Sequence, residues 1–377
     1  MADTVEPKTD NIDLEIEVAS QAKLIWWRFR KHKLANISLV VLLLVYFIAV
    51  FTEFLAPYDA NFYNSNYVFV PPQRLRFWGR SEGKTRIAPY VYDFTTAIDP
   101  VSYRRTAVMN MDKKIYLSFF TKGERYKMWG VIPGQRHFLA PSNPEEVFFL
   151  LGTDRLGRCN LSRIIHGTRV SMSIGLIGVA MSLVFGIVLG GISGYYRGVV
   201  DNVIQRVIEF IRSIPTIPLW MGLAAAIPIN WSPLQVYFTI TLILSLVGWT
   251  GLARVVRGRF LALRTEDFVL AARLDGCPEM RIILRQMVPS FLSHIIASIS
   301  LAIPGMILSE TALSFIGIGL RPPAVSWGVM LQEAQNIRSV AYYPWLLFVP
   351  AVPILITVLS FNFLGDGLRD AADPYNN

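Results

Sequence analysis

Six long apolar segments constrain this chain more than any other feature of its sequence. The first, residues 34–52, holds 19 uncharged residues, close to the roughly 20 that a helix needs to cross about 30 Å of hydrocarbon. In lipid, only helices and closed barrels satisfy their own backbone groups, so the pattern predicts an all-α polytopic membrane protein with about six transmembrane helices. The five further segments lie at about residues 168–194, 206–228, 234–254, 290–316 and 342–364.

The composition agrees with a membrane protein. Hydrophobic residues make up 53% of the 377 positions and charged residues 17%, against roughly 25% charged residues in ordinary soluble domains. These values argue against a soluble enzyme and against a disordered chain. Two cysteines, Cys159 and Cys277, cannot form a disulfide framework and are expected as free thiols on opposite sides of the membrane.

The distribution of charge predicts the orientation. The loop over residues 254–285 carries seven arginines, and such loops stay in the cytoplasm. Six spans then place both termini on the cytoplasmic side. Residues 57–165 hold 16 basic and nine acidic residues, a balance of +7 within a chain total of +9. Because segments longer than about 60 residues cross largely regardless of charge, this segment is predicted to lie outside.

The chain is expected to divide into four parts. Within the third part, short runs at residues 66–70 and 114–120 predict β-strands, so this part is expected to be a small β-rich domain between the first and second helices. The four parts are a cytoplasmic tail with an interfacial helix over residues 1–33, the first transmembrane helix over 34–56, a periplasmic insertion and scaffold segment over 57–165, and a five-helix core over 166–377, with a cytoplasmic loop at 254–289.

Three glycines in the second apolar segment predict close helix packing. Gly186, Gly190 and Gly194 recur every fourth residue and therefore share one helix face. Small residues at this spacing let a second helix approach closely in lipid.

Prolines and one carboxylate mark candidate positions for a transport path. Pro215, Pro218 and Pro304 interrupt the third and fifth spans, which indicates either simple kinks or a cavity that forms part of a path or gate. Glu310 lies in an apolar segment, where an ionisable side chain is costly and is a functional candidate by default. The alternative is that Glu310 packs a helix or orients a loop.

The arginine-rich loop has the pattern of a helix, a turn and a second helix. Thr265 is expected to cap the first helix, whose opening turn holds Glu266 and Asp267. Gly276 suits the left-handed conformation at its end, and Pro278 suits the first position of the second helix. Such a short rod between two spans can enter a groove on another protein. The alternative is a solvated surface loop.

This loop resembles the EAA loop of ABC importer permeases. In that family two alanines, three further residues and a glycine lie on the helix that docks into the ATPase subunit, and Ala271, Ala272 and Gly276 match them. The first position of the pattern is Leu270 rather than Glu. The resemblance implies a docking set of Leu270, Ala271, Ala272, Arg273, Asp275 and Gly276.

Further stretches resemble the permease subunits of dipeptide and oligopeptide importers. The segment before the second span carries the family pattern at Gly152, Thr153, Asp154, Gly157 and Arg158. Cys159 stands where the family usually has Asp. Similar stretches lie at residues 194–201, 310–328 and 362–374.

The resemblance implies a type I ABC importer permease fold in the bacterial cytoplasmic (inner) membrane. It also implies a second homologous permease, two ABC ATPase subunits, and a periplasmic or extracellular substrate-binding protein that delivers peptides or peptide-like solutes. The insertion over residues 57–150 is longer than the plain family requires and indicates a subclass with an extra periplasmic domain.

No catalytic or cofactor motif is expected in this chain. The four histidines show no metal-ligand spacing. Gly83-Lys84-Thr85 ends like a phosphate-binding loop, but Trp78 stands where that pattern needs a glycine. ATP hydrolysis is therefore expected in the partner subunits. The alternatives are a secondary carrier or channel, which would place ionisable groups at mid-membrane, and an integral membrane enzyme, which would need a nucleophile and base or paired acids.

Overall fold

The computed structural model is a bundle of membrane-length helices joined to a small antiparallel sheet. The predicted tail over residues 1–20 lies outside the described part of the chain. The described residues are 21–81, 84–98, 100, 105–335 and 337–372. Before the sheet the helices are α1 (Gln21–Lys31), α2 (Lys33–Val50) and α3 (Thr52–Leu55). After the sheet they are α4 (Asn160–Tyr196), α5 (Gly198–Ser213), α6 (Thr216–Ala225), α7 (Pro233–Leu263), α8 (Asp267–Leu274), α9 (Glu279–Ile282), α10 (Val288–Ser290), α11 (Leu292–Ile316), α12 (Trp327–Gln332), α13 (Ile337–Tyr342) and α14 (Trp345–Ala372).

Five of these helices, α2, α4, α7, α11 and α14, are long and apolar enough to cross a membrane. Local signals fix where several of them begin. At the start of α7, the Ser232 hydroxyl accepts from the Gln235 backbone N–H while Gln235 reaches back to Ser232, which is a capping box with Pro233 at the first helical position. The His32 ring accepts from the Ala35 N–H and caps α2.

The third predicted span, residues 206–228, falls in two helices that break at Pro215, one of the prolines expected to interrupt it. Helices α5 and α6 meet at an angle of 88°. Pro215 has no N–H to donate, and its ring forces the preceding Ile214 into an extended conformation, with φ −88° and ψ 129°. The chain therefore turns between Ser213 and Thr216. In contrast, α11 continues through Pro304.

The direction of the helices shows that α5 and α6 together make a return crossing. Along the contact between α4 and α7, Tyr237 donates to Ser173, and Gly194 faces Arg257 further on. Residue numbers rise together in both helices, so α4 and α7 run parallel. The connection between two parallel spans must bring the chain back across the membrane. The described residues thus hold five helices of membrane-spanning length and one bent pair that can make a sixth span.

Both described ends of the chain lie at the same end of the bundle. Phe29 of α1, Ala35 of α2 and Ala371 of α14 form one buried cluster. We call this end of the bundle, which also carries residues 264–290, the loop end, and the opposite end the sheet end. Between them, Met172, Leu244, Ile307 and other residues of the spans form the central apolar core.

The sheet is a four-stranded antiparallel meander in the order β1-β2-β3-β4. Its long third strand pairs with β2 along its first half and with β4 along its second half, with the register pairs Thr95 to Val108 and Thr121 to His137. The sheet was expected between the first and second spans. The strands are β1 (Arg76–Ser81), β2 (Lys84–Ile98), β3 (Arg105–Met128) and β4 (Ile132–Pro141).

One of the two predicted strands is wrong. Residues 114–120 lie in β3. Residues 66–70 instead overlap a 3-10 turn, Ser65–Tyr67, and continue into a loop. The reason is local, because the Asn64 side chain accepts a hydrogen bond from the Asn66 N–H and closes a tight turn.

Candidate functional site

Helices α8 and α9 and the turn between them form the predicted helix–turn–helix. Gly276 takes the left-handed conformation, with φ +71°. Its N–H donates to the Arg273 carbonyl, and the Cys277 N–H donates to the Ala272 carbonyl. This pair of bonds is a Schellman motif, which stops a helix at a glycine. The predicted cap at Thr265 is wrong, because its hydroxyl donates back to the Ala262 carbonyl and Glu266 precedes α8.

One face of α8 is buried against the chain's own spans. Val269 and Ala272 are 0% and 5% exposed. They pack into a cluster that includes Tyr195 from α4 and Phe260 from α7. Ala272, which the family resemblance placed in the docking set, therefore lies on the inner face of α8 against the spans, and not on its exposed face.

The opposite face of α8 is apolar and exposed. Leu274 is 88% exposed, and Leu270 on the preceding turn is also exposed. Ala271 and Gly276 of the predicted set lie on this open side, as does Asp275. Exposed apolar side chains clustered on one short helix are typical of a protein-binding surface. We call Phe268, Leu270, Ala271, Leu274 and Met280 the α8 surface.

Arg273 joins α8 to the end of α4. Its guanidinium lies over the Tyr195 ring, 4.7 Å from the centroid, and its Nε donates to the Tyr195 hydroxyl at 3.2 Å. Arg264 donates to the Tyr195 carbonyl. Burial and the nearby charges of Arg197 and Arg273 lower the pKa of Arg264 below its usual range. The turn is thus fixed to a long span by contacts that the sequence analysis did not identify.

A second polar contact at the loop end ties three helices together. Arg257 of α7 donates from Nε and Nη2 to the two carboxylate oxygens of Asp201 in α5, at 2.6 and 2.5 Å. Ser193 of α4 also donates to Asp201. Bidentate Arg–carboxylate pairs are geometrically specific. This contact holds α5 against α4 and α7 at the loop end.

The predicted glycine face of α4 lies against α7. A Cβ at Gly190 would lie 2.5 Å from the Ala253 carbonyl oxygen, and one at Gly194 would lie 2.8 Å from the Arg257 carbonyl oxygen. At Gly186 the nearest atoms belong to the Leu252 side chain. The two backbones therefore approach at distances that leave no room for side chains.

The family segment at the sheet end surrounds a buried ionic cluster. Asp154 is 0% exposed and accepts from Arg158 Nε at 2.6 Å and from Arg163 Nη1 at 2.7 Å. Both arginines also donate to Glu333, which follows α12. The cluster holds two positive and two negative charges. Arg163 belongs to the stretch that resembles the family segment, whereas Glu333 was missed, and its only sequence signal is a charge next to an apolar segment.

At the other family positions in this segment, the backbone packs directly against other backbone segments. Gly152 and Gly157 have positive φ angles of 71° and 78°. A Cβ at Gly152 would lie 2.5 Å from the Val70 carbonyl oxygen. The Thr153 hydroxyl accepts from the Val70 N–H at 2.8 Å, and Trp345 of α14 donates to the Thr153 carbonyl. The segment thus joins the chain before the sheet to the spans.

Glu310 ties the end of α11 to the start of α12. Its carboxylate is fully buried and accepts from the hydroxyls of Ser314 and Ser326, each at 2.7 Å. Ser171 of α4 lies near the same carboxylate and accepts from the Trp327 N–H. Pro215 and Pro218 are exposed at the α5–α6 break, and Pro304 is buried in α11.

Among the described residues, no three His, Cys, Asp or Glu side chains are grouped so that they could hold a metal ion. Cys159 and Cys277 are both free thiols.

Comparison with known families decides the class of this chain. Residues 186–375 match the model of the binding-protein-dependent transport system inner membrane component family. Residues 20–72 match the N-terminal transmembrane domain of oligopeptide transport permease C. The chain belongs to the binding-protein-dependent transport permeases. It is a permease subunit of an ABC importer.

Individual relatives span nearly the whole chain. The dipeptide transport system permease protein DppC of Lactococcus lactis subsp. cremoris is 32% identical over 357 residues, which cover 93% of this permease and 89% of that protein. The oligopeptide transport system permease protein OppC of Bacillus subtilis is 27% identical over 373 residues, covering 98% and 96%. Among solved structures, a chain of the inward-facing MetNI methionine ABC transporter superposes on 55% of this permease and 95% of that chain, with 17% identity and a TM-score of 0.44.

Proposed function

We propose that this permease forms half of the translocation pore of an ATP-driven importer of peptides or peptide-like solutes. A second homologous permease completes the pore, two ABC ATPase subunits bind at the loop end, and a substrate-binding protein delivers the solute at the sheet end. The names of the dipeptide and oligopeptide relatives support this substrate class. The permease itself is non-catalytic, and the ATPase subunits hydrolyse ATP.

We place the loop end and both termini in the cytoplasm and the sheet in the periplasm. The arginines support this orientation, since seven of them lie between Arg254 and Arg285 at the loop end, and basic residues favour the cytoplasmic side. The family implies the bacterial inner membrane.

The observation that carries the proposal is the two-sided character of α8. Its inner face is fixed on Tyr195 and Phe260 of the spans, while Leu270 and Leu274 stay exposed on the α8 surface. A short amphipathic helix of this kind can insert an apolar face into a groove. Movement of a bound ATPase would therefore act directly on α4 and α7.

The proposed mechanism is a shift between two states. ATP binding closes the ATPase subunits, the α8 surface moves with them, and the spans change from inward-facing to outward-facing. ATP can drive this change only because it binds the two states with different affinity. The contacts of Arg273 with Tyr195 and of Asp201 with Arg257 transmit the movement into the bundle.

The test is Leu274→Asp, which places a charge at the most exposed position of the α8 surface. Leu156→Asp is the matched control, because Leu156 is an exposed leucine at the sheet end. We expect Leu274→Asp to weaken ATPase co-purification and ATP-dependent uptake in proteoliposomes by about tenfold, which corresponds to about 1.4 kcal/mol of binding free energy. Normal co-purification of Leu274→Asp would refute docking at this surface. Uptake that continues without any ATPase would instead indicate a secondary carrier or channel.

A further inference from the structure

The tip of the β3–β4 hairpin lies beside the end of the first span. Trp129, in the turn between β3 and β4, donates from its indole N–H to the Val50 carbonyl at 3.2 Å. Val50 is the last residue of the membrane-length helix α2. The guanidinium of Arg169 stacks on the Trp129 ring at 4.2 Å and also donates to the Val50 carbonyl. These contacts place the hairpin tip level with the last residue of the first span.

A second set of contacts holds the rest of the β3–β4 hairpin beside α3. His137 of β4 is hydrogen-bonded to the Ala56 carbonyl, just after α3. Phe54 of α3 packs against Phe120 and Phe138, with ring centroids 6.0 and 6.3 Å apart. The hairpin is therefore held to the first span along several residues, and its position does not depend on the turn alone.

The tip is apolar where it is exposed. Val131 is 78% exposed and Trp129 is 56% exposed, and Ile132 beside them is also open. A β-hairpin that faced only water would carry polar residues in this turn. The exposed face of α2, with Leu43 and Phe47, ends next to this patch and is part of the apolar belt of a spanning helix. We call Trp129, Val131 and Ile132 the hairpin surface.

Basic side chains border the hairpin surface. Lys122, Arg125, Lys127 and Arg136 are exposed on β3 and β4, with one acidic neighbour at Glu124. Tryptophan at the level where a span ends, apolar side chains around it and basic residues above them are the chemistry of the headgroup region. Trp rings favour this layer, and lysine and arginine bind lipid phosphates.

We propose that the hairpin surface inserts into the lipid headgroup layer on the sheet side of the membrane. The occupant is the phospholipid bilayer that surrounds α2. The exposed patch is continuous with the lipid-facing side of that span, and Trp129 joins the two. The hairpin thus anchors the insertion flat beside the bundle and fixes where the sheet stands relative to the membrane surface.

The experiment is a depth measurement on the intact permease. Val131→Cys carries a nitroxide spin label in a Cys277→Ser background, and the protein is placed in nanodiscs of phosphatidylcholine and phosphatidylglycerol. Cys159 stays in place because it is buried. Val108→Cys is the matched control, since Val108 is an exposed valine toward the opposite end of β3. Collision rates with oxygen, which enriches in lipid, and with a water-soluble nickel chelate report depth.

We expect the label at position 131 to collide more with oxygen than with the chelate, as a group buried about 5–10 Å into the headgroup and acyl boundary does. The label at position 108 should show the reverse. Adding Trp129→Ala should shift the label at 131 toward the values at 108. The proposal is overturned if position 131 is as accessible to the chelate as position 108. It is equally overturned if position 131 is closed to both reagents when the second permease is present, because the occupant is then protein.

Discussion

Gly190 lies where α4 comes closest to α7. An added Cβ would lie 2.5 Å from the Ala253 carbonyl oxygen, an atom of the backbone that cannot move aside independently. Gly190→Ala should therefore lower the free energy of unfolding by roughly 1–3 kcal/mol, the usual cost of overpacking. The measurement is unfolding of the permease in mixed micelles.

The matched control is Gly258→Ala, on α7 itself. A Cβ at Gly258 has nothing within 4 Å, and alanine favours a helix over glycine by up to about 1 kcal/mol. This variant should be neutral or slightly more stable. Equal losses at both positions would show that the close approach of α4 and α7 is absent from the protein in solution.

Asp154 forms buried ion pairs with two arginines, Arg158 and Arg163. Asp154→Ala leaves Arg158 and Arg163 buried with one carboxylate, that of Glu333, between them. Removing one partner from a buried ionic group costs about 3–5 kcal/mol. We expect a loss of that size in the free energy of unfolding. Arg155→Ala, at the exposed neighbouring position, should change stability by less than about 0.5 kcal/mol. A small loss for Asp154→Ala would mean that the cluster is solvated.

At the scale of elements, the contact between α8 and α4 is the structural link between the docking surface and the spans. Arg273 uses both the ring and the hydroxyl of Tyr195. Tyr195→Ala removes both interactions, whereas Tyr195→Phe keeps the ring. We expect Tyr195→Ala to reduce uptake several-fold while the assembled complex still hydrolyses ATP, so that the ratio of solute moved to ATP consumed falls.

Tyr195→Phe supplies the control for this prediction. Because the cation–π contact remains, the ratio of uptake to hydrolysis should stay close to that of the unaltered permease. Parallel losses of uptake and hydrolysis in Tyr195→Ala would contradict a coupling role and indicate that α8 no longer binds the ATPase.

At the scale of the whole molecule, the parallel course of α4 and α7 requires the bent α5–α6 pair to cross the membrane. The loop end and the sheet end then lie on opposite sides. Cys277 is partly exposed at the loop end, while Cys159 is buried and burial raises the pKa of its thiol. In sealed right-side-out vesicles, a membrane-impermeant maleimide should label Val108→Cys, at an exposed position of the sheet, and leave Cys277 unlabelled.

Inside-out vesicles should give the opposite labelling, with Cys277 modified and position 108 protected. Cys159 should stay unlabelled in both, since its thiol is 1% exposed. Labelling of Cys277 and position 108 from the same side would refute the odd number of crossings between them and, with it, the bent span.

Features that depend on near neighbours could be predicted from the sequence. The five long helices follow from segment length and apolar content, and the end of α8 follows from Gly276 and Pro278. The β-rich insertion was expected, although the Asn64 turn removed one strand. The family followed from short motifs near residues 152–158 and 270–276.

Tertiary structure decided the features that join distant parts of the chain. Ala271 and Ala272 are adjacent in sequence, yet only the fold of the spans buries Ala272 and leaves Ala271 exposed. Asp154 meets Glu333 through two arginines, and Trp129 meets Val50, across separations that no local pattern encodes. The physical reason is the separation along the chain between the residues that interact. Helix length, caps and glycine turns are set by bonds within a few residues, whereas burial, ion pairing and the side of a helix that faces a partner depend on which spans pack together.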